Sequence, residues 1–290
     1  MIHTIKSEAL TVSVSEKGAE LQSIRDGSGT EFLWQGDPKY WSGRAPTIFP
    51  YVARLTGKQY TLFGKTYSMG IHGFARTSTF SPIASSESAV TLRLTDNEET
   101  RAQYPYSFVF DVTYSLSGNC LTVKYEVTNR SETTMYFGIG GHPGFNVPNA
   151  QGLRFEDYCL EFREDCSPRR VAFTDDCFVA GGDSAYPLQS RRIPLRHELF
   201  DHDAVVLRDA AKSVSLFSDK GGKCITVTCP DMTYLGFWHA TRTDAPYVCI
   251  EPWSSLPARK DMTEDFSRQN DLKQAAPGET YRNVWTVDIR

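Results

Sequence analysis

The chain has 290 residues, a composition 40% hydrophobic and 23% charged, and a formal net charge of −4. These are the values of an ordinary globular protein able to bury a sizeable core, and no apolar run approaches the ~20 residues that span a bilayer. The slight negative charge gives no general attraction to phosphate backbones, and the doublets Arg169-Arg170 and Arg191-Arg192 are too short to form a basic stripe, so membrane and nucleic acid are set aside as partners.

The start, Met1-Ile2-His3-Thr4, lacks the basic-then-apolar pattern of a secretory signal, and the expected location is the cytoplasm. From there the dominant signal is period two, which places one face of a strand in a core. Short runs of this kind occupy 10–14, 60–67 around a turn at Phe63-Gly64-Lys65, and 89–94. The clearest run alternates Phe108, Phe110, Val112, Tyr114 and Leu116, turns at Ser117-Gly118-Asn119, and resumes as Leu121, Val123, Tyr125 and Val127. It reads as a hairpin with one buried face. Further strands are predicted at 158–162, 205–207, 214–217, 225–228, 247–250 and 284–289. One short helix is expected at 263–272, with Thr263 as its cap.

Strand–helix alternation of the parallel α/β kind is missing, so the predicted fold is all-β: a large antiparallel β-sandwich with very little helix. No linker, low-complexity block or fixed-period repeat divides the chain, and one domain over 1–290 is the simplest organisation. The seven cysteines (Cys120, Cys159, Cys166, Cys177, Cys224, Cys229, Cys249) are an odd number without a Cys-x-x-Cys, which argues against a disulfide framework. Cys224 and Cys229 are an odd separation apart in a strand-like run and point to opposite faces, so they do not share a zinc.

Three stretches break the strand rhythm and concentrate Gly, Pro, His, Arg and Glu, as binding loops on a β scaffold do. The first is Phe49-Pro50-Tyr51-Val52-Ala53-Arg54-Leu55, followed after a hairpin by Ile71-His72-Gly73-Phe74-Ala75-Arg76. The second is Gly140-Gly141-His142-Pro143-Gly144-Phe145-Asn146, and the third Cys249-Ile250-Glu251-Pro252-Trp253. A lone histidine beside glycine is more often a loop or core residue than a catalyst. Glu251 says more. It ends an apolar run before Pro-Trp, where a strand is expected to leave the sheet, and partial burial there raises a carboxyl toward neutrality and suits it to general-base work. An edge carboxylate paired with an arginine is the structural alternative of equal weight.

Together, Phe-Pro-x-x-x-Arg-Leu, His-Gly-Phe-Ala-Arg, Gly-His-Pro-Gly-Phe and Ile-Glu-Pro-Trp resemble, in order and over nearly the whole chain, the aldose 1-epimerase or galactose mutarotase-like superfamily, and within it the shorter bacterial, LacX-type branch. The resemblance implies the galactose mutarotase-like supersandwich. It implies that Glu251 is the general base, His142 the acid at the sugar ring oxygen and His72 a second histidine on the same oxygen. It further implies that Arg54 orients the substrate and that an aspartate of Leu199-Phe200-Asp201-His202-Asp203-Ala204 holds sugar hydroxyls, Asp203 fitting the branch better than Asp201.

Such an enzyme interconverts α and β anomers by acid/base-assisted ring opening, with no cofactor or metal. Gly138-Ile139-Gly140-Gly141-His142-Pro143-Gly144 superficially resembles a dinucleotide loop, but its glycine spacing is wrong and no βαβ pattern surrounds it. The chain has no Gly-x-Ser-x-Gly, P-loop or His-Glu-x-x-His motif. Two histidines and a glutamate are also a known zinc set, a minor alternative here. Phe74, Phe145, Trp238 and Trp253 are candidates to present flat faces to a pyranose, about half of them expected to be core. His239, beside Trp238, is ambiguous, and His3, His197 and His202 read as surface or structural. The expected ligand is a small sugar or sugar phosphate, with Arg54 and Arg76 as a pair able to grip a phosphate, Arg76 alternatively making a structural ion pair. The chain is expected to be a monomer or weak homodimer. A non-catalytic sugar-binding or regulatory protein on the same fold is the competing class.

Overall fold

A computed structural model describes all residues from Met1 to Arg290. Two large sheets dominate it. The first has nine strands in the order Arg192–Pro194, Cys159–Phe162, Ser213–Phe217, Ile225–Thr228, Thr280–Ile289, Cys120–Asn129, Phe108–Ser117, Ala89–Thr95, Ser81–Ser85. Every pairing within it is antiparallel. Its centre is the predicted hairpin, whose register sets Phe110 opposite Val127 and Val112 opposite Tyr125. The alternation that signalled these strands is the alternation of burial: Phe108, Phe110, Val112 and Tyr114 are all buried, and the residues between them are half-exposed.

The second large sheet runs Ser184–Ala185, Arg169–Arg170, Val205–Arg208, Tyr234–Trp238, Tyr247–Trp253, Gly140–Gly141, Thr47–Ile48, with Gly144–Asn146 also pairing to Tyr247–Trp253. It is antiparallel throughout. A continuous apolar core of 65 residues, including Phe110 and Val112 of the first sheet and Val248 and Ile250 of the second, fills the space between them. Smaller sheets flank this sandwich: Ile2–Lys6, Leu10–Ser15 and Leu21–Asp26 form one, and Gln59–Leu62, Lys65–Ser68 and Glu264–Asp265 another.

The helix expected at 263–272 does not form. Glu264 pairs in parallel register with Tyr60, its carboxylate receives the Arg259 guanidinium at 2.8 and 2.7 Å, and Phe266 stacks on Tyr60 with ring centroids 3.7 Å apart. Tertiary packing thus overrides a weak local preference. The α-helix that does form, Glu98–Gln103, is capped by Asn97, whose side chain accepts from the Thr100 N–H. The strand carrying Glu251 does not leave the sheet there but runs on to Trp253, because Tyr234–Trp238 pairs along it and sets Leu235 against Pro252. Proline removes one donor without ending the strand.

Candidate active site

Period two decides which side chains of Tyr247–Trp253 reach the site. Val248 and Ile250 turn into the core between the sheets, while Tyr247, Cys249, Glu251 and Trp253 share the opposite face. On that face lies a cavity of about 400 Å³, a size typical of small-ligand sites. Arg54, His72, Arg76, His142, Asp203, Glu251 and Trp253, seven of the eight candidate site residues, line it, and so does Trp238.

His142 arrives on the turn between Gly140–Gly141 and Gly144–Asn146, both of which pair with the strand of Glu251. Gly140 permits the close approach: a Cβ there would sit 2.7 Å from the Pro252 carbonyl oxygen. His142 Nε2 consequently lies 3.3 Å from Glu251 Oε2. Both groups are buried, and Oε2 of Glu251 and Nδ1 of His142 have no hydrogen-bond partner. Trp41 stacks on the His142 ring at 4.9 Å between centroids, and Trp238 meets it edge-on at 5.6 Å.

His72 comes from the other side, on a turn held against Phe49-Pro50. Its backbone is left-handed (φ +62°), as is that of Gly73 (φ +70°), where any Cβ would collide with the Phe49 carbonyl. A non-glycine residue held so is strained and needs support from its surroundings. Here the Ala53 and His72 backbones supply it: the His72 N–H donates to the Ala53 carbonyl at 2.7 Å, and the Ala53 N–H donates to His72 Nδ1 at 3.2 Å. With Nδ1 accepting, the neutral ring carries its proton on Nε2, free to donate. The His72 and His142 rings stand 5.4 Å apart, edge to face.

The electrostatics divide these groups. Burial, reinforced by the Asp203 charge, holds the Glu251 carboxyl well above its usual range, with the Trp253 indole partly offsetting the effect. Burial and the Arg76 charge take His142 down to about 3 despite a backbone hydrogen bond that favours its cationic form. Burial first, then His142 and the two arginines, hold His72 well below the ordinary histidine value. Glutamate pushed up beside histidine pushed down favours the neutral form of each, carboxyl and imidazole, inside a low-dielectric pocket.

Asp203, also left-handed (φ +73°), accepts the Ala204 N–H on Oδ1 at 2.9 Å and the Cys177 thiol on Oδ2, and Arg54 stands 3.9 Å from Oδ2. Asp201 does not line the cavity. Arg76 is exposed at the cavity wall and makes no side-chain hydrogen bond or ion pair, so the structural ion pair considered for it is not formed.

Phe145, expected to touch substrate, does not reach the cavity. It pairs with Val248, whose side chain faces the core, and strand alternation carries Phe145 into the same layer, fully buried. Phe74 is core as well, packed among Phe49, Tyr104 and Phe108. His202, read as surface or structural, is exposed but stands at the cavity wall. His239 is buried away from it, with Nδ1 2.7 Å from the Ala240 carbonyl oxygen. Sequence reading missed Trp41, Cys177 and Thr241 on the lining. Trp41 lay in an irregular Gly/Pro-rich stretch that gave a signal of a loop, whereas nothing local distinguished Cys177.

Donor atoms of His142, Cys249 and Glu251 lie within 4.8 Å of one another, the nearest approach to a metal set. His72 is outside this group, so the two-histidine-plus-glutamate set is not assembled at ligand distance. Burial and the Glu251 charge hold the Cys249 thiol well above its usual value.

The aldose 1-epimerase family profile matches residues 1–284. The chain is 34% identical, over an alignment 295 positions long, to the chromosomal protein LacX of Lactococcus lactis subsp. lactis, covering 98% of both chains. Among solved structures, it is similar to a galactose mutarotase related enzyme from Lactobacillus acidophilus (35% identity, TM-score 0.96, 100% of this chain and 97% of that one). It is similar also to a galactose mutarotase-like protein from Lactobacillus casei (31% identity, TM-score 0.95, all of both chains).

Proposed function

The chain belongs to the aldose 1-epimerase family, and from that premise we propose that it interconverts the α and β anomers of an aldohexose with Glu251 as base and His142 as acid. The observation carrying this is the convergence of Glu251, His142 and His72 on one cavity, with a buried carboxylate oxygen left unpartnered. A binding module has no use for such an oxygen, whereas an arriving anomeric hydroxyl satisfies it.

The step balances within the site. Glu251 takes the proton of the anomeric hydroxyl, the bond from C1 to the ring oxygen breaks, and the ring oxygen takes a proton from His142 while His72 Nε2–H donates to it. The open aldehyde turns about its C1–C2 bond. Glu251 then returns its proton to the aldehyde oxygen as the ring oxygen, giving its proton back to His142, closes on the other face. Glu251-COOH with neutral His142 and carboxylate with imidazolium contain the same protons, so a transfer across 3.3 Å converts the resting pair to the reactive one. Asp203 and Arg54 hold hydroxyls, and Trp253 and Trp238 offer apolar faces to the ring. The chemistry needs no cofactor. The continuous core from Ile5 to Ile289 supports treating 1–290 as one domain.

Polarimetry on freshly dissolved α-D-glucose and α-D-galactose tests the proposal. Equilibration faster than the spontaneous rate is expected for at least one. A second substrate reading, a hexose 6-phosphate, is favoured by the unpaired Arg76 beside the cavity. A higher kcat/KM for glucose 6-phosphate than for glucose supports it, and an equal or lower value removes it.

A further inference from the structure

The carboxylate of Asp203 is held by a residue from a different part of the chain. The 173–179 loop is a tight turn: the Cys177 N–H donates to the Thr174 carbonyl at 2.8 Å, the Thr174 N–H to the Phe178 carbonyl at 2.9 Å, and the Thr174 hydroxyl to Asp176 at 2.7 Å. It is clamped from outside. The Val179 N–H donates to the Ala258 carbonyl at 3.0 Å, Lys260 pairs with Asp176, and Arg54 donates to the Asp176 carbonyl at 3.2 Å. This scaffold presents Cys177 in left-handed backbone (φ +65°) at the cavity wall, its Sγ 2.7 Å from Asp203 Oδ2.

We propose that Cys177 is a positioning residue, whose thiol donates to Asp203 Oδ2 and fixes the carboxylate in the orientation that receives sugar hydroxyls. A carboxylate offers about four acceptor sites. The Ala204 N–H takes one and the thiol another, leaving the rest directed to the cavity and to Arg54. A weak donor suits this place, because it orients the oxygen without removing the charge that binds hydroxyls. Burial, and then the hydrogen bond and charge of Asp203, push the Cys177 thiol up to about 12, which keeps it a donor at neutral pH. Two left-handed non-glycine residues meeting in one hydrogen bond mark a place where strain is retained for geometry.

The inference rests on the reading of this cavity as a sugar site, so one of its two tests uses no sugar. In that test, iodoacetamide labelling of the Cys177 peptide, followed by mass spectrometry, is compared between the wild type and Asp203→Asn. Loss of the carboxylate should speed labelling about tenfold at pH 8, as the thiolate fraction rises. The second test uses whichever sugar the wild type turns over. Cys177→Ala should raise KM roughly 2–10-fold with kcat within about twofold, the range of one lost hydrogen bond, and Cys177→Ser should restore most of it. An unchanged labelling rate in Asp203→Asn, an unchanged KM in Cys177→Ala, or a raised KM that serine does not relieve would overturn the inference. A wild type that accelerates no sugar would sink the catalytic reading and leave the labelling result to stand or fall alone.

Discussion

Replacing Glu251 with glutamine should make the protein more stable at neutral pH while removing its activity. The carboxyl is 1% exposed, one oxygen has no partner, and its folded pKa lies well above the unfolded value near 4.5. A group of this sign contributes stability fully below pH 4.5, where both states hold the proton, and loses it as pH rises, because only the unfolded chain ionises freely. At pH 7.5 the native state therefore carries a burden that glutamine, neutral and of the same shape, does not. Each pH unit over which the native state alone must keep the proton costs it about 1.4 kcal/mol, and lifting that cost at pH 7.5 is worth roughly 1–3 kcal/mol. At about 2 °C per kcal/mol for a chain of this size, Tm should rise on the order of 2–6 °C at pH 7.5 and by little or nothing at pH 4. Paired thermal melts of wild type and Glu251→Gln at the two pH values measure this. A variant melting below the wild type at pH 7.5, or an equal gain at both pH values, would refute the reasoning.

Other consequences are equally direct. His142 takes a second proton only near pH 3, so kcat/KM should stay level from pH 7 to pH 5; an acid limb centred at the ordinary histidine value of 6.5 would contradict the burial argument. Gly73→Ala combines left-handed backbone with a collision against the Phe49 carbonyl and should destabilise by about 2 kcal/mol or more, read from a denaturant midpoint. Phe145→Ala empties a core site and should lower stability by about 3–5 kcal/mol while leaving the KM of the folded protein unchanged, as expected of a residue outside the cavity. If the substrate is phosphorylated, Arg76→Gln should lower kcat/KM for the phosphosugar and not for the free sugar.

The strands were legible because burial on one face writes itself as period two, most plainly from Phe108 to Val127. The converging residues were legible through His72 and His142, which sit in loop-like motifs rich in glycine and proline, and through Glu251, which ends an apolar run before Pro-Trp. Less legible was everything decided by long-range packing. The helix expected at 263–272 lost to the pairing of Glu264 with Tyr60 and Arg259, and Glu98–Gln103 is too short to carry a helical period. Phe145 stood inside a catalytic-looking motif, but its direction depends on the register with Val248, which no local pattern states. Cys177 and Trp41 reach the cavity from loops far from it in sequence, and only the folded chain brings the one to Asp203 and the other to His142.

The most direct measurement is NMR magnetisation exchange between the two anomers of D-glucose, D-galactose and glucose 6-phosphate, with wild type and Glu251→Gln side by side. The account predicts accelerated exchange for at least one of these sugars with the wild type and the spontaneous rate with the variant. Spontaneous exchange for all three with the wild type, or full acceleration surviving in the variant, would contradict it.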